Sequence, residues 1–168
     1  MGTKESVGDA LKKAVRIVPG IGSYQDKESL RESDKKLRDH ISTKLSYCMD
    51  VIERLKTNIA RKGSLSFLND LDDISRQIDT LCRTMTFAAR GYSGVFDSNI
   101  VDEKMLSNLF EFDRSFIKEV DLLDSLIVKI SKKNKELDSI LVDEVRNHLA
   151  KIKNQVSERE TFVKDPSN

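Results

Sequence analysis

The chain has 168 residues, and its 29 basic and 28 acidic side chains nearly cancel. This balance argues against a dedicated nucleic-acid-binding protein, whose domain is usually clearly basic. Only two prolines and seven glycines occur, and the apolar residues recur periodically, which favours helices over disorder. The composition therefore predicts one folded, helix-rich domain with no nucleic-acid partner.

No apolar run approaches the roughly 18 residues that a membrane-spanning helix needs. Near the N-terminus, Lys12, Lys13 and Arg16 interrupt the apolar residues, so a signal peptide is not expected and the predicted location is the cytoplasm. Cys48 and Cys82 lie in helical patterns without metal-type spacing. Buried reduced thiols are the favoured interpretation, with a disulfide or reactive pair as the alternative.

Residues 4–18 predict a short amphipathic helix with a basic outer face. Its apolar stripe consists of Val7, Leu11, Ala14, Val15 and Val18. Such a segment can lie on an anionic membrane surface or dock on its own protein. The stripe lacks the Trp or Phe that would anchor in lipid, so docking or a mobile tail is favoured and a membrane surface remains the alternative partner.

A first long helix is predicted from about residue 25 to 62, after Pro19, Gly20 and Gly22 end the preceding segment. Its later apolar residues step by threes and fours, as in coiled coils, and Gly63 ends it. The stripe consists of Leu30, Leu37, Ile41, Leu45, Cys48, Ile52, Leu55 and Ile59.

Three further helices are predicted at 64–89, with Ser64 as its cap, at about 102–132 and at about 135–160. A polar break near Lys133 separates the last two, although one bent helix is an alternative. The predicted fold class is an all-α, antiparallel up-down-up-down bundle of about four long helices with coiled-coil-like seams. It comprises a short amphipathic helix at 1–18, a bundle domain at 19–160 and a frayed tail at 161–168.

The chain contains no phosphate-binding loop and no dinucleotide-binding fingerprint. His40 and His148 are its only histidines and lie on different predicted helices. Neither a metal site nor a nucleophile–histidine arrangement can be assembled from them, so no cofactor or metal is expected.

The start of the first long helix is unusual, because charged residues face the predicted core. Lys27, Asp34 and Arg38 lie on or beside the apolar stripe, and the neighbouring candidates are Tyr24, Arg31 and Lys35. A charge facing the core is costly unless it is paired. Asp34 and Arg38 are four residues apart and can pair along the helix.

A second glycine-rich loop is predicted to lie beside these charges. Its candidate residues are Gly91, Tyr92, Gly94, Phe96 and Asp97. We expect Asp97 to meet one of the basic residues of the first long helix, with Asp113 as a second acidic candidate. Three uses follow: an ion-pair network that closes the bundle end, which is favoured; an anion or acidic-peptide site; and catalysis.

Two motifs carry a resemblance to known proteins. The pattern Pro-Gly-x-Gly-x-Tyr-x-x-Lys-Glu-x-x-Arg-x-x-Asp-Lys at 19–35 and Gly-Tyr-Ser-Gly-Val-Phe-Asp at 91–97 resemble a family of uncharacterised bacterial and archaeal helical proteins. No activity is attached to that family. The outline of long hairpins behind an amphipathic helix also resembles phage-shock-type membrane-remodelling proteins, without a shared motif.

These features predict a non-enzymatic helical scaffold or adaptor that binds a protein partner or a second copy of itself. Binding would use a helix face or the end with both glycine-rich loops. The alternative is a peripheral membrane protein that uses residues 4–18. A third possibility is an anion-binding or enzymatic site around Arg31, Arg38 and Asp97.

Overall fold

The structure is a computed structural model, and it describes residues 27–63, 65–87, 103–132 and 137–164. These residues form four helices: α1 at Lys27–Arg61, α2 at Leu68–Phe87, α3 at Glu103–Lys132 and α4 at Ser139–Lys164. No strand occurs among them. The all-α bundle predicted from the sequence is confirmed, whereas the short helix predicted at residues 4–18 lies outside the described residues.

α1 has 35 residues, a length of about 50 Å at the standard helical rise. Gly63 follows its end with φ of +72°, a left-handed conformation that side chains disfavour. The Gly63 N–H donates to the Ala60 carbonyl at 3.1 Å, so the glycine ends α1 as predicted. α2 begins at Leu68, later than the predicted start at Ser64, because residues 65–67 form a turn first.

The C-terminal part of the chain forms two helices, which resolves the alternative of one bent helix. Asp138 caps α4, since its carboxylate accepts a hydrogen bond from the Leu141 N–H at 2.8 Å. The helix continues to Lys164, beyond the predicted end at residue 160. Phe162 lies in this extension and packs against Phe112 of α3, with ring centroids 5.4 Å apart.

Side-chain contacts define two antiparallel hairpins. In the first, Ser75 of α2 donates to Glu53 of α1 at 2.8 Å, while Cys82, further along α2, lies 3.3 Å from the earlier Ser46. The second hairpin pairs α3 with α4. Glu119 of α3 contacts His148 of α4 at 2.5 Å, and the earlier Ser115 contacts the later Gln155 at 2.9 Å, so these two helices are also antiparallel.

The two hairpins pack so that α1 lies beside α3 and α2 beside α4. Lys44 of α1 contacts Asp121 of α3, and Asp34 of α1 shares Arg159 with Asp113 of α3. The two pairs follow the same order along both helices. Neighbouring helices from different hairpins are therefore parallel. Successive helices do alternate in direction, as predicted, but residues 88–102 join two helices that lie diagonally opposite.

One apolar core runs through all four helices. In α1 it includes five residues of the predicted stripe, each less than a tenth exposed: Leu37, Ile41, Leu45, Cys48 and Ile52. The other three helices contribute apolar residues that are equally buried: Leu71, Ile74, Ile78, Leu81, Met85, Leu109, Phe116, Val120, Leu123, Ile127, Ile130, Val145, Leu149, Ile152 and Val156. Within the described part of the chain, no helix is both long and apolar enough to cross a bilayer.

Candidate functional site

Four charged side chains form a buried network at the end of the bundle where α1 and α3 begin. Asp34, Arg38, Asp113 and Arg159 are between 2% and 8% exposed. The Arg159 guanidinium donates from Nη2 to Asp34 at 2.8 Å and from Nε to Asp113 at 2.7 Å. Arg38 donates to the other oxygen of Asp34. The network therefore joins α1, α3 and α4 through charge-assisted hydrogen bonds.

Each member of this network lies on an apolar seam rather than on an outer face. Asp34 precedes Leu37 and Ile41 in α1, and Asp113 lies between Leu109 and Phe116 in α3. Each of these charges is paired with an opposite charge of the network. Because isolated buried charges are very costly, this pairing is what allows the seam to contain them.

The other residues of the predicted cluster are only partly covered by the structure. Lys35 is exposed and lies outside the network. Lys27 and Arg31 belong to the first turns of α1, but their side chains are not among those described. The glycine-rich loops lie outside the described residues, and with them Tyr24, Gly91, Tyr92, Gly94, Phe96 and Asp97. The expected contacts of Asp97 therefore stay predictions.

Sequence reasoning identified Asp34, Arg38 and Asp113 but missed Arg159. The signal was present, because the buried residues Val145, Leu149, Ile152 and Val156 step by four, three and four. One further step of three reaches Arg159. A charged residue at the next seam position could thus have been recognised as a partner for the buried carboxylates.

A second polar group occupies the interface between α1 and α3. Lys44 contacts Asp121 at 2.7 Å and Asp124 at 3.7 Å, and the hydrogen bond to Asp121 raises its pKa. The Cys48 thiol donates to Asp124 at 3.7 Å. Burial, with the nearby Asp124 charge, raises the pKa of Cys48 to about 12. Burial also lowers the pKa of His40, assisted by the charge of Lys44.

These groups are poorly suited to nucleophilic catalysis. A thiol with a pKa of about 12 stays protonated near neutral pH, whereas a catalytic cysteine needs its thiolate. Within the described ranges, no group of three or more His, Cys, Asp or Glu side chains could hold a metal ion.

A groove runs between α2 and α4. At one end the two helices are held together by Arg146 of α4, which contacts Asp70 at 2.7 Å and Asp73 at 3.9 Å in α2. Beyond these ion pairs lies a groove with a volume of about 350 Å³. It extends towards the end of the bundle that carries the buried network, since both its walls lie further along α2 and α4.

The groove combines apolar walls with a polar rim. Leu81, Leu149 and Val156 are buried core residues that also line it. Thr80 and Thr84 donate their hydroxyl hydrogens to carbonyls one turn back in α2, at 2.8 and 2.9 Å. Because these donors are already used, the two threonines present a surface less polar than their sequence suggests.

Basic and acidic residues are distributed unevenly along the groove. Arg76 and Lys153 lie about two turns beyond Arg146–Asp70, one on each side of the groove, and Glu160 lies two turns further along α4. The Arg76 side chain is 74% exposed, and its one ion pair among the described residues is with Asp73 of its own helix, at 3.7 Å. Lys153 is also exposed and forms no ion pair among the described residues.

Comparison with known proteins adds no family to this description. No protein family model matches the chain, and neither a curated protein nor a solved structure is significantly similar to it. The resemblance carried by the motifs at 19–35 and 91–97 stays a prediction.

Proposed function

We propose that the protein is a non-enzymatic scaffold or adaptor that binds a partner protein in the groove between α2 and α4. The groove is the observation that carries this proposal. It is open along two helices, and its walls include Leu81, Leu149 and Val156. A groove between two helices is a common binding site for a helix of another protein. A cytoplasmic location and protein binding belong to the same proposal.

The contacts of the buried charges support a structural role for them, which leaves partner binding to the groove. Both arginines of the network donate to carboxylates of the same network, which suits a structural part of the bundle. Lys44 is likewise held between Asp121 and Asp124. The charges at the groove are exposed, and exposed charges can steer the approach of a partner that carries the opposite charge.

The test is to block the groove without disturbing the core. Ser157 lines the groove and is exposed, so Ser157→Trp should fill part of it while leaving the bundle folded. Ser125→Trp is the matched control, since Ser125 is exposed on α3 outside the groove. Circular dichroism and thermal melting establish that both variants fold.

The measurement is quantitative mass spectrometry of proteins recovered from extracts of the native host. We expect a partner that is recovered with the unchanged protein to be lost with Ser157→Trp and retained with Ser125→Trp. Equal recovery by both folded variants would contradict binding in the groove.

A further inference from the structure

The residues that line the groove indicate which chemical groups a partner needs in order to bind there. Its two basic residues, Arg76 and Lys153, stand at the same level on opposite helices, two turns from the Arg146–Asp70 contact. Among the described residues, neither forms an ion pair with an acidic residue of the opposite helix. An anionic group bound in the groove could pair with both, because opposite charges attract.

The groove walls limit what else the partner must contain. Leu81, Leu149 and Val156 line the bottom of the groove and are each less than a tenth exposed, so they leave a narrow apolar strip that an aliphatic side chain covers favourably. The walls extend from Arg76 to Thr84 along α2 and from Leu149 to Glu160 along α4, which is about two to three helical turns. A stripe of aliphatic residues spaced three and four apart on a helix matches this length.

We propose that the groove recognises an amphipathic helix of a partner protein that carries aliphatic residues flanked by carboxylates. The aliphatic residues pack on Leu81, Leu149 and Val156. A carboxylate lies between Arg76 and Lys153. This inference rests on the proposed function, because it names the chemistry of a partner bound at the same groove.

Glu160 gives the recognition a direction. It is the acidic residue of the groove lining and lies two turns beyond Lys153 along α4. Carboxylates of the partner are therefore favoured at the Arg76 level and disfavoured at the Glu160 level. The partner is acidic along one half of its bound face rather than along all of it.

The test uses the full chain and three synthetic helical peptides with the same leucine stripe. The residues flanking one half of the stripe are Glu in the first peptide, Gln in the second and Lys in the third. Affinities are measured by NMR titration, which detects weak binding. We expect the Glu peptide to bind about tenfold more tightly than the Gln peptide and the Lys peptide to bind most weakly.

Charge reversal identifies the residues responsible. The double variant Arg76→Glu, Lys153→Glu should invert the order of the three peptides, because it places carboxylates on both sides of the groove. Lys118→Glu is the matched control on the exposed face of α3 and should leave the order unchanged. The preference for the Glu peptide should also shrink at about 1 M salt, where screening acts within about 3 Å.

The outcomes separate this inference from the proposed function. Equal affinities for the three peptides, all lost in Ser157→Trp, would overturn the charge preference and leave binding in the groove intact. No binding by any peptide would overturn the inference, while the proposed function is decided by the Ser157→Trp comparison in host extract. A dimer in sedimentation velocity that Ser157→Trp dissociates would assign the groove to a second copy and overturn the inference.

Discussion

Cys48 and Cys82 lie in different surroundings although both belong to the α1–α2 hairpin. Cys48 is fully buried and its pKa is raised to about 12, chiefly by burial. Cys82 is partly exposed, and its sulfur lies 3.3 Å from the Ser46 hydroxyl. The expectation of reduced thiols agrees with two free cysteines, but only Cys48 is fully buried.

We therefore predict that a thiol-alkylating reagent modifies Cys82 first. At pH 8 only about one Cys48 side chain in ten thousand carries the thiolate, by the relation between pKa and pH. Mass spectrometry of the native protein should show a single modification at Cys82, with Cys48 modified only after unfolding. Equal rates at the two residues in the native protein would contradict the buried position of Cys48.

His40 gives the bundle a pH dependence with a defined sign. Burial and the charge of Lys44 hold the pKa of His40 below its ordinary value of 6.5, although Asp121 opposes them. Between the folded-state pKa and 6.5, the unfolded chain binds more protons at this residue than the folded chain. The contribution of His40 to stability is therefore complete above pH 6.5 and is lost as the pH falls through the folded-state pKa.

The prediction is that His40→Gln weakens this pH dependence. The free energy of unfolding in urea should decrease less between pH 7.5 and pH 5 in the variant than in the unchanged protein. Other titrating groups affect both proteins alike, so the difference between them isolates His40. Identical pH dependence in the two proteins would show that His40 titrates normally in the folded state.

At the scale of single helices, the buried network and a surface ion pair provide a direct comparison. Arg159 is 4% exposed and donates to two buried carboxylates on different helices. The Arg83 side chain is 71% exposed and pairs with Asp79 of its own helix at 2.8 Å. Removing a partner from a buried ion pair is far more costly than removing one from a solvated pair.

We predict that Arg159→Met lowers the free energy of unfolding by about 3–5 kcal/mol, the range for breaking a buried ion pair by removing one of its members. Arg83→Met should lower it by less than about 1 kcal/mol. Urea denaturation of the two variants measures both values. A similar, small loss in both would mean that the network does not stabilise the bundle. If Arg159→Met fails to fold, the milder Arg38→Met provides the comparison, because Asp34 then keeps Arg159.

Much of this level of structure could be predicted from the sequence. The three-and-four spacing of apolar residues identified the helices and most of their buried positions, because a helix repeats its faces every 3.6 residues. Gly63 marked the end of α1 for a local reason, its positive φ. The start of α2 was less predictable, since a turn before a helix leaves no periodic signal.

At the scale of the whole molecule, the arrangement of the hairpins could not be read from the pattern. Periodicity shows which face of a helix is buried but not which helix covers it. Several arrangements bury the same residues, and the observed one is distinguished by specific contacts such as Lys44 with Asp121. The groove was missed for the same reason, because its existence depends on the spacing between α2 and α4.

The buried network and the groove lie in different parts of the bundle. The network that includes Arg159 lies inside the bundle and joins α1, α3 and α4. The groove lies on the side formed by α2 and α4, with its charged residues exposed. We propose that the network stabilises the bundle and that the groove binds the partner, so the two roles can be tested in one protein.

The most direct test is an NMR titration of the isotope-labelled full chain with the Glu-flanked helical peptide, followed at every backbone amide. We predict that the largest chemical-shift changes occur at residues 76–84 of α2 and residues 149–160 of α4, on the faces that line the groove. Changes centred on Asp34, Arg38 and Asp113 would contradict it, because they would make the buried network the binding site.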